Sequence, residues 1–153
     1  MAGVSGIKMR GMTEADLPGV LAVETACFTS PWTTGMFRAE LLYPLSWQRV
    51  AVDEQEEVIA FIVARHYGDV WHVMDLAVAP LHHKSGLGGR LLDEFLVRTP
   101  VDMPVVLEVC EGNPEAIALY RSRGFRDSGR RPRYYPETGE AALLMVFGPE
   151  VAW

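Results

Sequence analysis

At 153 residues the chain has the length of one domain, expected to span 1–153, and is long enough to bury a core. A net charge of −6 speaks against non-specific nucleic-acid binding and suits a cationic partner. Cys27 and Cys110 are too few for a disulfide framework, no basic-then-apolar leader opens the chain, and no stretch of about 18 apolar residues occurs, so a cytoplasmic protein with no membrane partner is expected.

Residues 6–12 alternate weakly and predict a short edge strand. Thr13-Glu14-Ala15-Asp16 has the form of a capping box. Asp16 is an alternative cap that keeps Pro18 within the tolerant first turn. The helix behind it should end near Phe28, with a stripe of Leu17, Val20, Leu21 and Phe28 broken by Glu24. Ser30-Pro31 predicts a second helix start, with Met36, Phe37 and Leu41 inward and a stop before Pro44. Strands over 47–52 and 58–66 flank the charged turn 53–57. Gly68-Asp69 leads into a strand over 70–78. Val70, Met74, Leu76 and Val78 would share one face and Val73 and Ala77 the other, so both faces should be covered. Pro80 ends that ladder. Leu87, Leu91, Leu92, Phe95 and Leu96 form one helical stripe. A Pro-containing connection leads to the strand Val105–Cys110. A helix from Glu115 to Arg123 is started by Asn113-Pro114 and closed by a left-handed Gly124. Strands over 126–135 and 140–147 close the chain around a turn at 136–139. The order predicts an α+β fold with helices on a mostly antiparallel sheet.

Two stretches carry chemistry. The first is HHKSGLGG, 82–89, between a strand and a helix. The first helical turn leaves N–H groups unpaired, and the aligned peptide dipoles place positive charge there. Gly86 and Gly88 carry no Cβ to keep a phosphate off, and Lys84 adds a full charge. A phosphate or pyrophosphate at 84–89 is one outcome; a tight turn that binds nothing is the other. No Lys-Ser or Lys-Thr follows the glycines as a Walker loop requires, and the G-x-G-x-x-G spacing is absent. The second stretch, 107–125, holds a carboxylate (Glu108) on a strand, an amide (Asn113) at a helix start and a phenol (Tyr120) along that helix. Each has a plainer role: a solvated strand-end charge, a cap, a core aromatic. Asp75 is a rival base, and Cys110 fits a small buried hydrophobe. No Cys or carboxylate stands at ligand spacing to His82-His83, so no metal is expected. The basic cluster between Arg121 and Arg133 fits a solvated face or phosphate contacts better than an RNA patch.

Val78-Ala79-Pro80 and the loop after it resemble motif A of the GCN5-related N-acetyltransferases (GNAT), Q/R-x-x-G-x-G/A, with His83 where the family prefers Gln or Arg. NPEAIALYRSRGF, 113–125, resembles motif B. Phe28–Trp32, the 107–120 run and Arg130–Pro136 resemble the RimI group of that family, which acetylates the N-terminal alanine of the eighteenth small-subunit ribosomal protein. The resemblance spans about residues 7–147 and is strongest over 73–136. It implies the GNAT fold: a mixed, mostly antiparallel sheet of about seven strands, flanked by four helices and split between its two central strands. It implies acetyl-coenzyme A (acetyl-CoA) as co-substrate, held by Leu76, Ala77 and Val78, by Lys84, Ser85, Gly86, Leu87, Gly88 and Gly89, and by Asn113. Glu108 would accept the amine proton and Tyr120 donate to the leaving thiolate. Trp32, Tyr134 and Tyr135 would line the acceptor's entry, although Trp32 could equally staple two helices and the tyrosines could be sheet residues. The implied partner is a basic ribosomal-protein N-terminus met by a monomer, without direct nucleic-acid contact. An α-amine suits one carboxylate base, since its pKa of about 7.7–8.0 leaves roughly a tenth neutral at pH 7. A small amine as acceptor, or a non-catalytic acyl-CoA sensor, are the competing expectations; retention of both Glu108 and Tyr120 argues against the sensor.

Overall fold

A computed structural model describes residues 6–151; the extreme ends of the expected 1–153 domain lie outside the described residues. Strands β1 (Lys8–Gly11), β2 (Ser46–Val52), β3 (Val58–His66), β4 (Trp71–Val78), β5 (Val105–Cys110), β6 (Arg126–Tyr135) and β7 (Glu140–Phe147) form one sheet in the order β1-β2-β3-β4-β5-β7-β6. Only β4 and β5 pair in parallel; the other neighbours are antiparallel. Helices α1 (Leu17–Cys27), α2 (Thr34–Leu42), α3 (Leu87–Leu96) and α4 (Pro114–Ser122) cover the sheet, with 3-10 turns at Glu14–Asp16 and Pro80–His82. The mixed seven-stranded sheet and four helices match the architecture expected.

Two cores lie on opposite faces. Leu87, Leu91, Leu92 and Phe95 of α3, with Ile117 and Tyr120 of α4, pack against Val105, Leu107 and Val109 of β5. Leu17, Val20 and Val23 of α1, with Phe37 of α2, pack against Val50, Phe61 and Val63. The α3 stripe is buried as its spacing requires; Leu96 is partly covered.

Both helix-start signals near residue 13 are used. Thr13 caps the 3-10 turn, its N–H donating to Asp16 Oδ2 at 2.8 Å. α1 proper begins at Leu17 with Pro18 in its first turn. Glu24, which breaks the apolar stripe, nevertheless points inward and is 2% exposed.

The second helix does not start at Ser30-Pro31. Trp32 N–H is drawn back onto Glu24 Oε2 at 2.9 Å, which keeps 30–33 extended. Thr33 then caps α2, its hydroxyl accepting from Met36 N–H at 3.2 Å. Phe37 is buried as expected, whereas Met36 faces out.

β4 departs from the simple two-face pattern. Val63 pairs with Asp75 and Ala64 with Val73, so Met74 is an extra residue, a β-bulge. Trp71 and Val73 join the α3–α4 core before it, and Leu76 and Val78 join that core after it. Met74 and Ala77 turn to the α1–α2 core instead. Val70 lies just outside the strand, so Val70, Met74, Leu76 and Val78 do not share one face.

Candidate active site

β4 and β5 pair only at Trp71↔Val105 and His72↔Val106. Beyond that rung the strands part. Ala79 N–H bonds to Ile59 O at 2.8 Å, so by antiparallel alternation Val78 directs its own N–H and C=O away from β3 and toward the gap. The Val78 carbonyl is taken by the Cys27 thiol at 3.2 Å and the His83 ring Nε2–H at 2.7 Å. His83 thus folds back on β4. It also lines the cavity over the loop.

A cavity of about 420 Å³ opens where the strands part, a size suited to a small-molecule site. Its wall holds every residue the resemblance assigned to acetyl-CoA: Leu76, Ala77, Val78, Lys84, Ser85, Gly86, Leu87, Gly88, Gly89 and Asn113. Tyr120 also lines it, as do Ala26, Cys27 and Phe28 at the end of α1 and Leu119 of α4. Of these α1-end residues only Phe28 lies in a stretch that resembles the family; nothing in the sequence marks Ala26 or Cys27.

The loop's backbone explains its glycines. Gly86 caps α3 in the left-handed region at φ 83, and Lys84 also has a positive φ of 64. Arg90 N–H makes the first bond of α3, to Gly86 O at 3.0 Å. Among the described residues the N–H groups of Leu87, Gly88 and Gly89 have no carbonyl behind them. A Cβ on Gly86 would meet nothing within 4 Å, whereas one on Gly88 would lie 3.3 Å from Leu119 Cδ2. Gly88 is therefore bare for packing against α4. Gly86 is a glycine for its backbone angle.

Asn113 caps α4, its side-chain oxygen accepting from Ala116 N–H at 3.2 Å, and its residue still reaches the cavity wall. The Tyr120 ring packs edge-on to Phe125 at 5.6 Å. Burial, then the neighbouring Asp75 and Tyr135, push its phenol well above the usual range, so it stays protonated at neutral pH.

Glu108 is not in the cavity wall. Val105, Leu107 and Val109 face α3 and α4, so alternation sends Glu108 to the opposite face, the same side as His72. There Glu108 Oε2 meets His72 Nε2 at 2.6 Å. Tyr135 is partly buried at the end of β6. Burial, then Cys110, Tyr134 and Glu108, push its phenol up to about 12, and Tyr120 in turn feels Tyr135. Tyr134 is half-exposed, with its ring 5.0 Å from that of Tyr135. Trp32 packs on Phe37 at 5.1 Å and does not line the cavity.

Asp75 lies buried beside Glu24 of α1. Burial first, and the Glu24 carboxyl next, raise its pKa far above the ordinary carboxylate range, which makes it a poor base at neutral pH. Burial likewise raises the Cys27 and Cys110 thiols, so neither is a ready nucleophile. Four of the clustered arginines are engaged: Arg121 with Asp127, Arg123 with Asp93, Arg130 with Glu111, and Arg126 with the Gly148 carbonyl. Among the described residues no group of three or more His, Cys, Asp or Glu could hold a metal, and no helix is long and apolar enough to cross a membrane.

The family model described as the acetyltransferase (GNAT) family matches residues 17–125. A Bacillus subtilis protein, provisionally named a ribosomal protein bS18-alanine N-acetyltransferase, is 31% identical over 90% of this chain and 92% of its own length. An uncharacterised Mycobacterium leprae protein is 34% identical over 88% of the chain, but the chain spans only 38% of that longer relative. Among solved structures, the ribosomal-protein-S18-alanine N-acetyltransferase of Escherichia coli superposes with a TM-score of 0.82 at 27% identity, covering 96% of each chain.

Proposed function

The chain belongs to the acetyltransferase (GNAT) family, and on that footing we propose that it is a cytoplasmic, acetyl-CoA-dependent N-terminal acetyltransferase. Its acceptor is the α-amine of a protein, the N-terminal alanine of ribosomal protein bS18. One domain carries both substrates. The observation that supports this most is the parting of β4 and β5 over a cavity with the α3 N-terminus at one end and Tyr120 in its wall. The close likeness to relatives named for bS18-alanine acetylation supports the acceptor.

The free N–H groups of Leu87, Gly88 and Gly89, with Lys84, suit the diphosphate of acetyl-CoA, since a helix N-terminus favours an anion. The co-substrate supplies an acetyl group activated as a thioester. Glu108 takes a proton from the attacking amine, directly or through water. The Val78 N–H offers a donor to the acyl oxygen. Tyr120, protonated because it is buried, gives its proton to the departing sulfur. Tyr134 and Tyr135 stand at the acceptor's entry. The acidic balance of −6 speeds encounter with a basic ribosomal-protein tail.

Free-thiol release in the presence of acetyl-CoA tests this with a basic peptide starting in Ala, internal-lysine peptides and small amines including polyamines. Turnover is expected on the Ala-starting peptide. Turnover confined to small amines would move the acceptor assignment, and tight acetyl-CoA binding without any turnover would make the protein a sensor. Glu108→Gln should lose about 10²–10⁴-fold in rate at neutral pH and regain part of it as the pH rises and the amine deprotonates unaided.

A further inference from the structure

The reaction assigned above needs a carboxylate aimed at the gap between β4 and β5. A hydrogen bond to His72 holds the Glu108 carboxylate there. His72 and Val106 form the last rung before the strands part, and Glu108 lies two residues further along β5, on the same face as His72. His72 Nε2 lies 2.6 Å from Glu108 Oε2. The two side chains are 22% and 16% exposed, so water competes little for the bond. With the carboxylate ionised, the ring nitrogen carries the proton and donates it. The Tyr67 ring flanks His72 with centroids 6.2 Å apart, limiting the imidazole's own rotation.

Resting on the base assignment of Glu108, we propose that His72 is a positioning residue for this reaction. Its Nε2–H pins one carboxylate oxygen of Glu108 at the mouth of the split, which leaves the other oxygen to accept the amine proton. The rung at His72↔Val106 fixes both backbones, so the pair cannot slide along the strands. A short bond from a side chain on a rigid strand is what holds a base in its working rotamer. His72 acts through Glu108 and contacts neither substrate.

The test uses four full-length proteins: His72→Phe, His72→Gln, Glu108→Gln, and His72→Phe combined with Glu108→Gln. Steady-state thiol release gives kcat and KM on the best acceptor, and direct titration gives the acetyl-CoA dissociation constant. His72→Phe should lower kcat about 10–100-fold, the usual cost of losing a residue that orients a functional group. Acetyl-CoA affinity should stay put, because His72 is not in the cavity wall. His72→Gln places an amide N–H near the same point and should restore most of the rate. In the Glu108→Gln background His72→Phe should cost nothing further. Three results overturn the proposal: an unchanged kcat in His72→Phe, an equal loss in the Phe and Gln variants, or losses that multiply in the double variant. A wild-type rate in Glu108→Gln removes the base itself and overturns both assignments. An inactive Glu108→Gln beside an unaffected His72→Phe overturns this one alone.

Discussion

Asp75→Asn should make the protein more stable, by an amount that grows with pH. Asp75 and Glu24 are 8% and 2% exposed, and their carboxyl groups meet each other in the core. Two carboxylates in a dry core cannot both ionise, so the pair retains a proton; burial and the Glu24 carboxyl raise Asp75 accordingly. In the unfolded chain both ionise above about pH 4. A pKa raised by folding contributes stability that is fully present below the unfolded value and is lost as pH climbs to the folded one. Each pH unit in that window removes about 1.4 kcal/mol. Three units would give about 4 kcal/mol, and relaxation around the pair with water entry brings the expected gain at pH 7–8 to roughly 1–3 kcal/mol. The new amide N–H also supplies a donor for Glu24. Urea unfolding followed by tryptophan fluorescence at pH 4, 5, 6, 7 and 8 measures it. The two proteins should converge near pH 4 and diverge above, with the variant's Tm higher by about 2–4 °C per kcal/mol. Parallel pH curves, or a variant less stable at pH 7, would show that no shared proton is held there.

Gly86→Ala should weaken acetyl-CoA binding and cost about 1 kcal/mol of stability, because the added Cβ has room but φ 83 is strained for any L side chain; calorimetric titration with acetyl-CoA reads the first and a melting curve the second. Tyr120→Phe keeps the ring's packing on Phe125, so it should retain the Tm while kcat falls about 10²-fold; an unchanged kcat would leave the thiolate to solvent. Thr33→Ala removes the cap on Met36 N–H and should destabilise by about 1 kcal/mol in denaturant.

Most of the fold was legible because its signals are local. A left-handed glycine after α4, a proline closing β4 and an apolar stripe along α3 each depend on a few neighbouring residues, and each stands where expected. The cavity over the split was legible for the same reason, since a strand, a bare loop and a helix start follow one another in the chain. The bulge at Met74 was not. A period-two template assumes an unbroken pleat, and a single extra residue leaves no mark in composition while reversing every face beyond it. Pairs made across strands or between layers were equally hidden. Glu24 looked like a break in an amphipathic stripe, and only the packing of α1 on β4 brings it to Asp75. His72 drew no attention beside the His82-His83 pair. One signal could have found it: in a parallel rung, a side chain on one strand neighbours the residue two positions beyond its partner on the other, which here is Glu108.

The alternation along β5 has a chemical consequence. With Val105, Leu107 and Val109 given to the α3–α4 core, Glu108 must stand on the α1–α2 side while Tyr120 stays on the other. Here the sheet itself separates them, and the gap beyond the His72↔Val106 rung joins the two sides. On the roles proposed for Glu108 and Tyr120, the amine proton would leave toward α1 and α2 and the sulfur would be protonated from α4. That division of labour requires the strands to part at that rung, so any substitution that zipped β4 to β5 further along should abolish turnover while stabilising the sheet.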